Sequence, residues 1–210
     1  MKIQLALDRM NMEEAIEMAR SVEASIDWIE VGTSLIKEFG VNSIKEMKNH
    51  FPDKKIVADM KTMDNAAYEM DLCFQSGADI ATVMGAASDV TIQKCLEKAR
   101  EYKGQIMIDL LNVSDTRLEQ LRIYSQAIFC EHVSKDSQEN SSHAMISMRN
   151  HAGSMRAAAG GISLSSLPVM VREGLDVIII GSAITKAKDP AEAARLFKET
   201  VNGKKGVKEV

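Results

Sequence analysis

Two hydrophobic rhythms alternate along this chain. Short, nearly unbroken apolar runs appear at "KIQLALD" (2–8), "DWIEVG" (27–32), "KKIVADM" (54–60), "ADIATVMG" (78–85), "GQIMIDLLN" (104–112), "QAIFCEHV" (126–133), "SMRAAAGG" (154–161) and "DVIIIG" (176–181). Runs of this kind predict strands covered by helices. Between them, apolar residues recur at helical spacing over 12–24, 34–49, 65–76, 88–102, 115–124, 139–151, 163–173 and 189–201. A strand followed by a helix, eight times over, calls for parallel pairing, because each helix must carry the chain back to the start of the next strand. The expected fold is α/β, a single-domain (β/α)8 TIM barrel over 1–202, with a doubly wound open sheet as the other arrangement. The remaining stretch "GKKGVKEV" (203–210) has little to bury and is expected to be a flexible tail.

A repeat runs through the strand starts. "SIDWIEVG", "GADIATVMG" and "GLDVIIIG" share an Asp, an apolar strand and a closing Gly, with Asp27, Asp79 and Asp176 separated by 52 and 97 residues. Those gaps are about one and two times a two-unit period of a (β/α)8 barrel. The same pattern arises wherever loops before strands favour Asp and strand ends favour Gly; both readings stand at this point.

Composition narrows the function classes. The 210 residues suffice for one domain with a substantial core, at the small end of the barrel range, so loops must be short. A net charge of −4 argues against nucleic acid as a partner, since phosphate backbones need a basic surface. No stretch approaches the roughly 20 apolar residues that cross a bilayer, and "MKIQLALDRMN" lacks the longer apolar segment of a signal peptide. Cys73, Cys95 and Cys130 are odd in number and form no CxxC pair, which reads as reduced core thiols in a cytoplasmic protein. The 14 methionines read as core filling.

In such barrels the chemistry sits where strands end, so the last residues of each strand are informative. Strand 1 ends in Asp8; strand 2 in Glu30, then Gly32 and Thr33; strand 3 in Asp59 and Lys61, with Asp64 following. Strand 5 ends in Asp109 and Asn112, and strand 6 in Glu131 and His132, followed by Ser134, Lys135 and Asp136. Asp8, Glu30, Asp59 and Asp64 around the single amine of Lys61 would repel one another in a partly dry site, and a divalent cation is the natural remedy. Oxygen donors without a nearby thiolate favour Mg²⁺, with Glu30 and Asp59, on adjacent strands, as its protein ligands. Asp8 and Asp64 taken singly also fit helix caps. Strands 7 and 8 close in Gly160-Gly161 and Gly181-Ser182, where phosphate sites of this barrel lie. His132, beside Glu131 at a strand end, suits a general base near neutral pH.

These residues resemble the orotidine 5′-monophosphate decarboxylase suprafamily: Asp8, Glu30-Val-Gly-Thr33, Asp59-x-Lys61-x-x-Asp64, His132 and the two Gly-ended strands. The likeness runs from Lys2 to about residue 200. The metal-independent nucleotide decarboxylases of that group carry Lys at the end of strand 2; Glu30 here points to the Mg²⁺-dependent sugar-phosphate branch, in which Glu30 and Asp59 look like the metal ligands. "GSAIT" (181–185) is similar to the "GGAIT" of hexulose-phosphate synthases, whereas the decarboxylases of the branch carry Arg after the Gly. "HVSKD" (132–136) matches neither the "HTGYD" of the synthases nor the H-x-S-R-D of the decarboxylases, with Lys135 at the Arg position.

The resemblance implies an aldol condensation of D-ribulose 5-phosphate with formaldehyde to D-arabino-3-hexulose 6-phosphate through an enediolate. The alternative is decarboxylation of 3-keto-L-gulonate 6-phosphate. It implies Lys61 as the fixed cation, His132 as base, and Asp8 and Asp64 holding substrate hydroxyls and orienting Lys61. Thr33, Lys135, Gly160, Gly161, Gly181 and Ser182 are then expected around the phosphorylated substrate. It also implies a homodimer with active sites at the interface, Asp64 reaching the partner's site. A non-catalytic phosphosugar-binding barrel would need neither Lys61 nor the carboxylates. A barrel isomerase working through the same enediolate would need no formaldehyde.

Overall fold

The structure is a computed structural model that describes residues 1–134, 136 and 153–203. Eight parallel strands close into a barrel in sequence order: β1 (Lys2–Leu7), β2 (Trp28–Val31), β3 (Lys55–Thr62), β4 (Ile80–Met84), β5 (Gln105–Asp109), β6 (Ile128–His132), β7 (Met155–Ala159) and β8 (Val177–Ile180). The expected TIM barrel is thus observed, and β1 pairs with β8 to close it. The helices are α1 (Met12–Val22), α2 (Thr33–Phe39), α3 (Asn42–His50), α4 (Ala66–Gln75), α5 (Asp89–Glu101), α6 (Asp115–Leu121), α7 (Leu167–Arg172), α8 (Ser182–Thr185) and α9 (Pro190–Val201). Among the described residues no helix is long and apolar enough to cross a membrane.

Strand alternation divides the apolar residues into two sets. Ile3, Leu5, Leu7, Ile29, Val31, Ile56, Ile106, Ile108, Ile178 and Ile180 pack with the apolar faces of the helices, and Trp28, Val57, Ile80, Met107, Ile128, Cys130, Ala157, Ala159, Val177 and Ile179 fill the barrel interior. The three cysteines are buried and unbonded, as expected.

Some element boundaries differ from the sequence reading. The single helix expected over 34–49 is two, because Gly40 takes φ 66° and ends α2. The helix expected over 163–173 shrinks to α7, and the chain bends first through Ser163, Ser165 and Ser166, whose side chains bond one another. A short α8 follows β8 where the sequence pattern showed none. The helix expected over 139–151 and most of the tail, 204–210, lie outside the described residues.

The repeated Asp has a mechanical role at the lower end of the barrel. Asp27, Asp79 and Asp176 each accept, through Oδ2, the backbone N–H of the residue opposite on the preceding strand: Ile3 at 2.8 Å, Ile56 at 2.7 Å and Arg156 at 2.8 Å. Each Asp donates its own N–H to the carbonyl of that same residue, at 2.9, 2.8 and 2.9 Å. Three of the four odd–even strand pairs are stapled in this way. In the fourth, the register that sets Met107 against Ile128 leaves Ala127, with no side-chain acceptor, at the equivalent point.

Candidate active site

At the upper end of the barrel the inward-facing positions become polar. A cleft of about 760 Å³ opens there, and Asp8, Glu30, Thr33, Asp59, Lys61, Asp109, His132, Gly160, Gly161, Gly181 and Ser182 all line it. Its size suits a small phosphorylated sugar.

β3 builds the centre. Its pairing with β4 is regular as far as Ala58↔Ala81 and resumes at Thr62↔Val83, so four residues of β3 span two of β4. The excess bulges out, with Lys61 at φ 53° and its N–H donating to Thr82 Oγ1 at 2.8 Å. A left-handed conformation at a lysine is strained, and such strain is typical of a functional position. The bulge turns the Lys61 ammonium back over the preceding strand end. Its Nζ lies 2.9 Å from Asp59 Oδ2 and 3.0 Å from Asp109 Oδ2.

The partners of this amine are themselves held. Asp59 Oδ1 accepts from Thr82 Oγ1 at 3.0 Å, and Asp59 Oδ2 from Thr33 Oγ1 at 2.7 Å. Asp109 Oδ2 also accepts from His132 Nδ1 at 2.8 Å, while Asp109 Oδ1 takes the N–H of Leu111 at 2.9 Å. Lys61, Asp109 and His132 therefore form one chain across the floor of the cleft.

The electrostatics follow from this packing. Burial works against the charge of Asp109, but the hydrogen bond and charge of His132, with Lys61 behind them, bring its carboxyl from 3.8 to about 2. Burial likewise works against the Lys61 ammonium, yet Asp59 and Asp109 outweigh it and hold the group above its ordinary value. Lys61 is a permanent cation in this setting. Glu30 is the opposite case: burial, then the neighbouring charge of Asp59, push its carboxyl well above 4.5, against a hydrogen bond from Gln4 Nε2 at 2.5 Å and the pull of Lys61. One carboxylate thus stays uncompensated at the strand 2 end.

The donor set fits a hard divalent cation. Among the described residues no three His, Cys, Asp or Glu side chains gather into a ready-made cage. Glu30 and Asp59 offer carboxylate oxygens in the same cleft, where burial and then their mutual repulsion raise Glu30. The one thiol lining the cleft, Cys130, is pushed well above 9.0 by burial and stays neutral. Two carboxylates, with water and substrate supplying the rest, match the way Mg²⁺ is held.

The other expected residues divide into three groups. Asp8 lines the cleft, but its Oδ1 is occupied by Ser34 N at 3.0 Å and Ser34 Oγ at 2.6 Å, so it fastens the start of α2. That contact explains Gly32: a Cβ there would stand 2.3 Å from the Asp8 carboxylate. Thr33 grips Asp59, including a 2.9 Å bond to the Asp59 carbonyl, and thereby orients an acid of the site. Gly160 and Gly161, at φ 95° and 67°, expose backbone on the far wall beside Gly181 and Ser182. Asp64 does not line the cleft of its own chain and is exposed on the loop after β3. Lys135 lies outside the described residues.

Four contributors were missed. Asp109 was noted at a strand end but given no role, although it follows Met107 at inward parity. Thr82 sits inside an apolar run with nothing to mark it. Lys37, within α2, and Lys186, just past the end of α8, line the cleft as further cations at positions that strand-end reading does not inspect.

A sequence model of the orotidine 5′-phosphate decarboxylase / HUMPS family matches residues 1–197. The chain belongs to this family. Among curated relatives in it, a 3-hexulose-6-phosphate synthase from Bacillus subtilis (strain 168) is 38% identical over 207 residues, covering 96% of this chain and 99% of the relative. Among solved structures, the 3-hexulose-6-phosphate synthase from Salmonella typhimurium superposes with a TM-score of 0.91 at 35% identity, over 98% of this chain and 100% of that one. A 3-keto-L-gulonate-6-phosphate decarboxylase from Vibrio cholerae superposes at 0.84 with 27% identity, over 98% and 99%. The resemblance drawn from the strand ends is therefore borne out at the level of the family, and the likeness spans almost the whole chain.

Proposed function

We propose that the chain is an aldolase that joins D-ribulose 5-phosphate and formaldehyde into D-arabino-3-hexulose 6-phosphate. The observation that carries this reading is the Lys61 ammonium clamped by Asp59 and Asp109 beside the uncompensated Glu30. Schiff-base chemistry needs a neutral amine. An amine held charged between two carboxylates instead offers fixed positive charge to a developing oxyanion.

The residues divide the work as follows. Gly160, Gly161, Gly181 and Ser182 present backbone and a hydroxyl to the phosphate, with Lys186 as a nearby cation, so that binding energy remote from the reacting carbons orients them. His132 donates Nδ1–H to Asp109, which leaves Nε2 to take the proton from C1. Asp109 steadies the imidazolium that results, in the manner of a triad carboxylate. Lys61 faces the negative charge that appears on the sugar oxygens. The C1 carbon then bonds to the formaldehyde carbon, and the proton held on Nε2 passes to the formaldehyde oxygen. Glu30 and Asp59 would hold Mg²⁺, which when bound supplies Lewis-acid stabilisation to that same charge.

The likeness to the Vibrio cholerae decarboxylase favours a second reading, loss of CO₂ from 3-keto-L-gulonate 6-phosphate, since the same charge arrangement serves an enediolate formed either way. A homodimer completes the proposal: Asp64 stands away from its own cleft beside the exposed Met63 and Tyr68, 54% and 61% accessible, an arrangement suited to a partner's surface. One assay separates the readings. Purified protein with Mg²⁺ should consume formaldehyde only when ribulose 5-phosphate is present, and EDTA should stop it. Turnover of 3-keto-L-gulonate 6-phosphate with no formaldehyde uptake would favour the decarboxylase.

A further inference from the structure

The interior of the barrel carries one polar group that the mechanism above does not use. On β1, Ile3, Leu5 and Leu7 face the helices, so Gln4 and Ala6 face inward. Gln4 is fully buried, at 0% exposure. In register it stands opposite Trp28 on β2 and Ile179 on β8, both members of the apolar interior set. An amide placed there gives up hydration on every side. Its Nε2 finds one acceptor, Glu30 Oε2 at 2.5 Å, while its Oε1 meets no donor among the described residues. Packing alone would choose Leu or Met at this position.

Glu30 is reached in this way because Ala6, its register partner, carries only a methyl group. Gln4 therefore rises from one layer below and meets the carboxylate from beneath. Lys61 and Asp59 act on Glu30 from the cleft side, while among the described residues the side-chain hydrogen bond to Glu30 comes from Gln4. A carboxylate on a flexible two-carbon stem needs such a contact if one oxygen is to be presented to the cleft in a fixed orientation.

We propose that Gln4 is a positioning residue: its amide holds Glu30 in the rotamer that offers a carboxylate oxygen to a divalent cation. The proposal rests on the reading of Glu30 and Asp59 as the cation site. Gln4 touches neither substrate nor cation. It acts as the outer support of a ligand, a role whose loss costs about 10–100-fold in metal affinity in other sites.

The test is calorimetric titration of the full chain with MgCl₂, without substrate, together with melting in EDTA and kcat at saturating Mg²⁺. Gln4→Met keeps length and volume but removes the donor; it should raise the Mg²⁺ Kd about 10-fold, leave the EDTA melting temperature within a few degrees, and hold kcat at saturating Mg²⁺ within about threefold. Gln4→Asn keeps an amide but withdraws it by one methylene, and should weaken Mg²⁺ similarly if Gln4→Met folds poorly. Wild-type protein that binds no Mg²⁺ overturns the cation site and this inference with it. Wild-type binding with unchanged Kd in both variants overturns the role of Gln4 alone. A loss of stability with no change in Mg²⁺ affinity would make Gln4 a packing residue, which also contradicts the proposal.

Discussion

Carboxylates stand at both ends of the same strands, and their surroundings differ. Asp27 precedes β2 and Glu30 lies inside it, three residues on. At the lower end Asp27 accepts from Ile3 N–H and from Lys198 Nζ at 2.7 Å; burial opposes its charge, but these bonds prevail and lower its carboxyl below 3.8. Asp79 is matched in the same manner by Ile56 N–H and by Lys48 Nζ at 3.0 Å. At the upper end burial, then the like charge of Asp59, push Glu30 up against a single amide from below and the pull of Lys61. The lower carboxylates are matched by fixed donors and staple strands. At the upper end Asp59 and Asp109 share Lys61, whereas Glu30 has no ion pair among the described residues, a charge that costs stability and that the proposed cation would offset. Charge is cheap to bury where donors already point at it, and becomes a tool where they do not.

Breaking the upper set at its centre should give the largest effect. Lys61→Ala removes the fixed cation and leaves Asp59 and Asp109 facing one another. Steady-state kinetics should show kcat reduced about 10³-fold or more, with the barrel's far-UV circular dichroism retained. Near-full rate would remove electrostatic stabilisation by Lys61 from the mechanism.

A smaller effect of another kind is expected below. Asp79→Ala strips the acceptor from the buried Ile56 N–H and from Lys48, so about 2 kcal/mol of stability should be lost. For a domain of this size that is a melting temperature lower by about 4–8 °C. At 25 °C kcat and KM should be unchanged. A variant with normal melting but impaired turnover would mean that the two ends of the barrel are not separable.

The fold was legible because eight apolar runs and eight helical patterns alternate without exception, and parallel pairing leaves few ways to connect them. Glu30, Asp59 and Lys61 were legible because charge inside an apolar run has no packing reason to be there. Asp109 was less so, since "QIMIDLL" reads as a strand ending in a cap until the bulge in β3 swings Lys61 toward it. That bulge depends on two extra residues relative to β4, a pairing fact no single run discloses. Asp64 belongs to the same motif by spacing, and the loop after β3 carries it to the surface, away from its own chain's cleft. The Asp repeat was visible as a pattern, while its meaning required knowing which N–H lay opposite.

The central claim is that Glu30 is a destabilising charge held in place for a cation. The direct measurement is thermal melting of wild type and Glu30→Gln in EDTA and in excess Mg²⁺. In EDTA at pH 8, Glu30→Gln should melt a few degrees above wild type, since about 1 kcal/mol corresponds to roughly 2–4 °C here. Because the folded-state carboxyl of Glu30 is raised, its stabilising contribution is full below 4.5 and is lost as pH climbs, so the gap should narrow toward that pH. Mg²⁺ should raise the wild-type melting temperature and leave Glu30→Gln unmoved. A wild type indifferent to Mg²⁺, or a Glu30→Gln protein less stable than wild type in EDTA, would contradict the account.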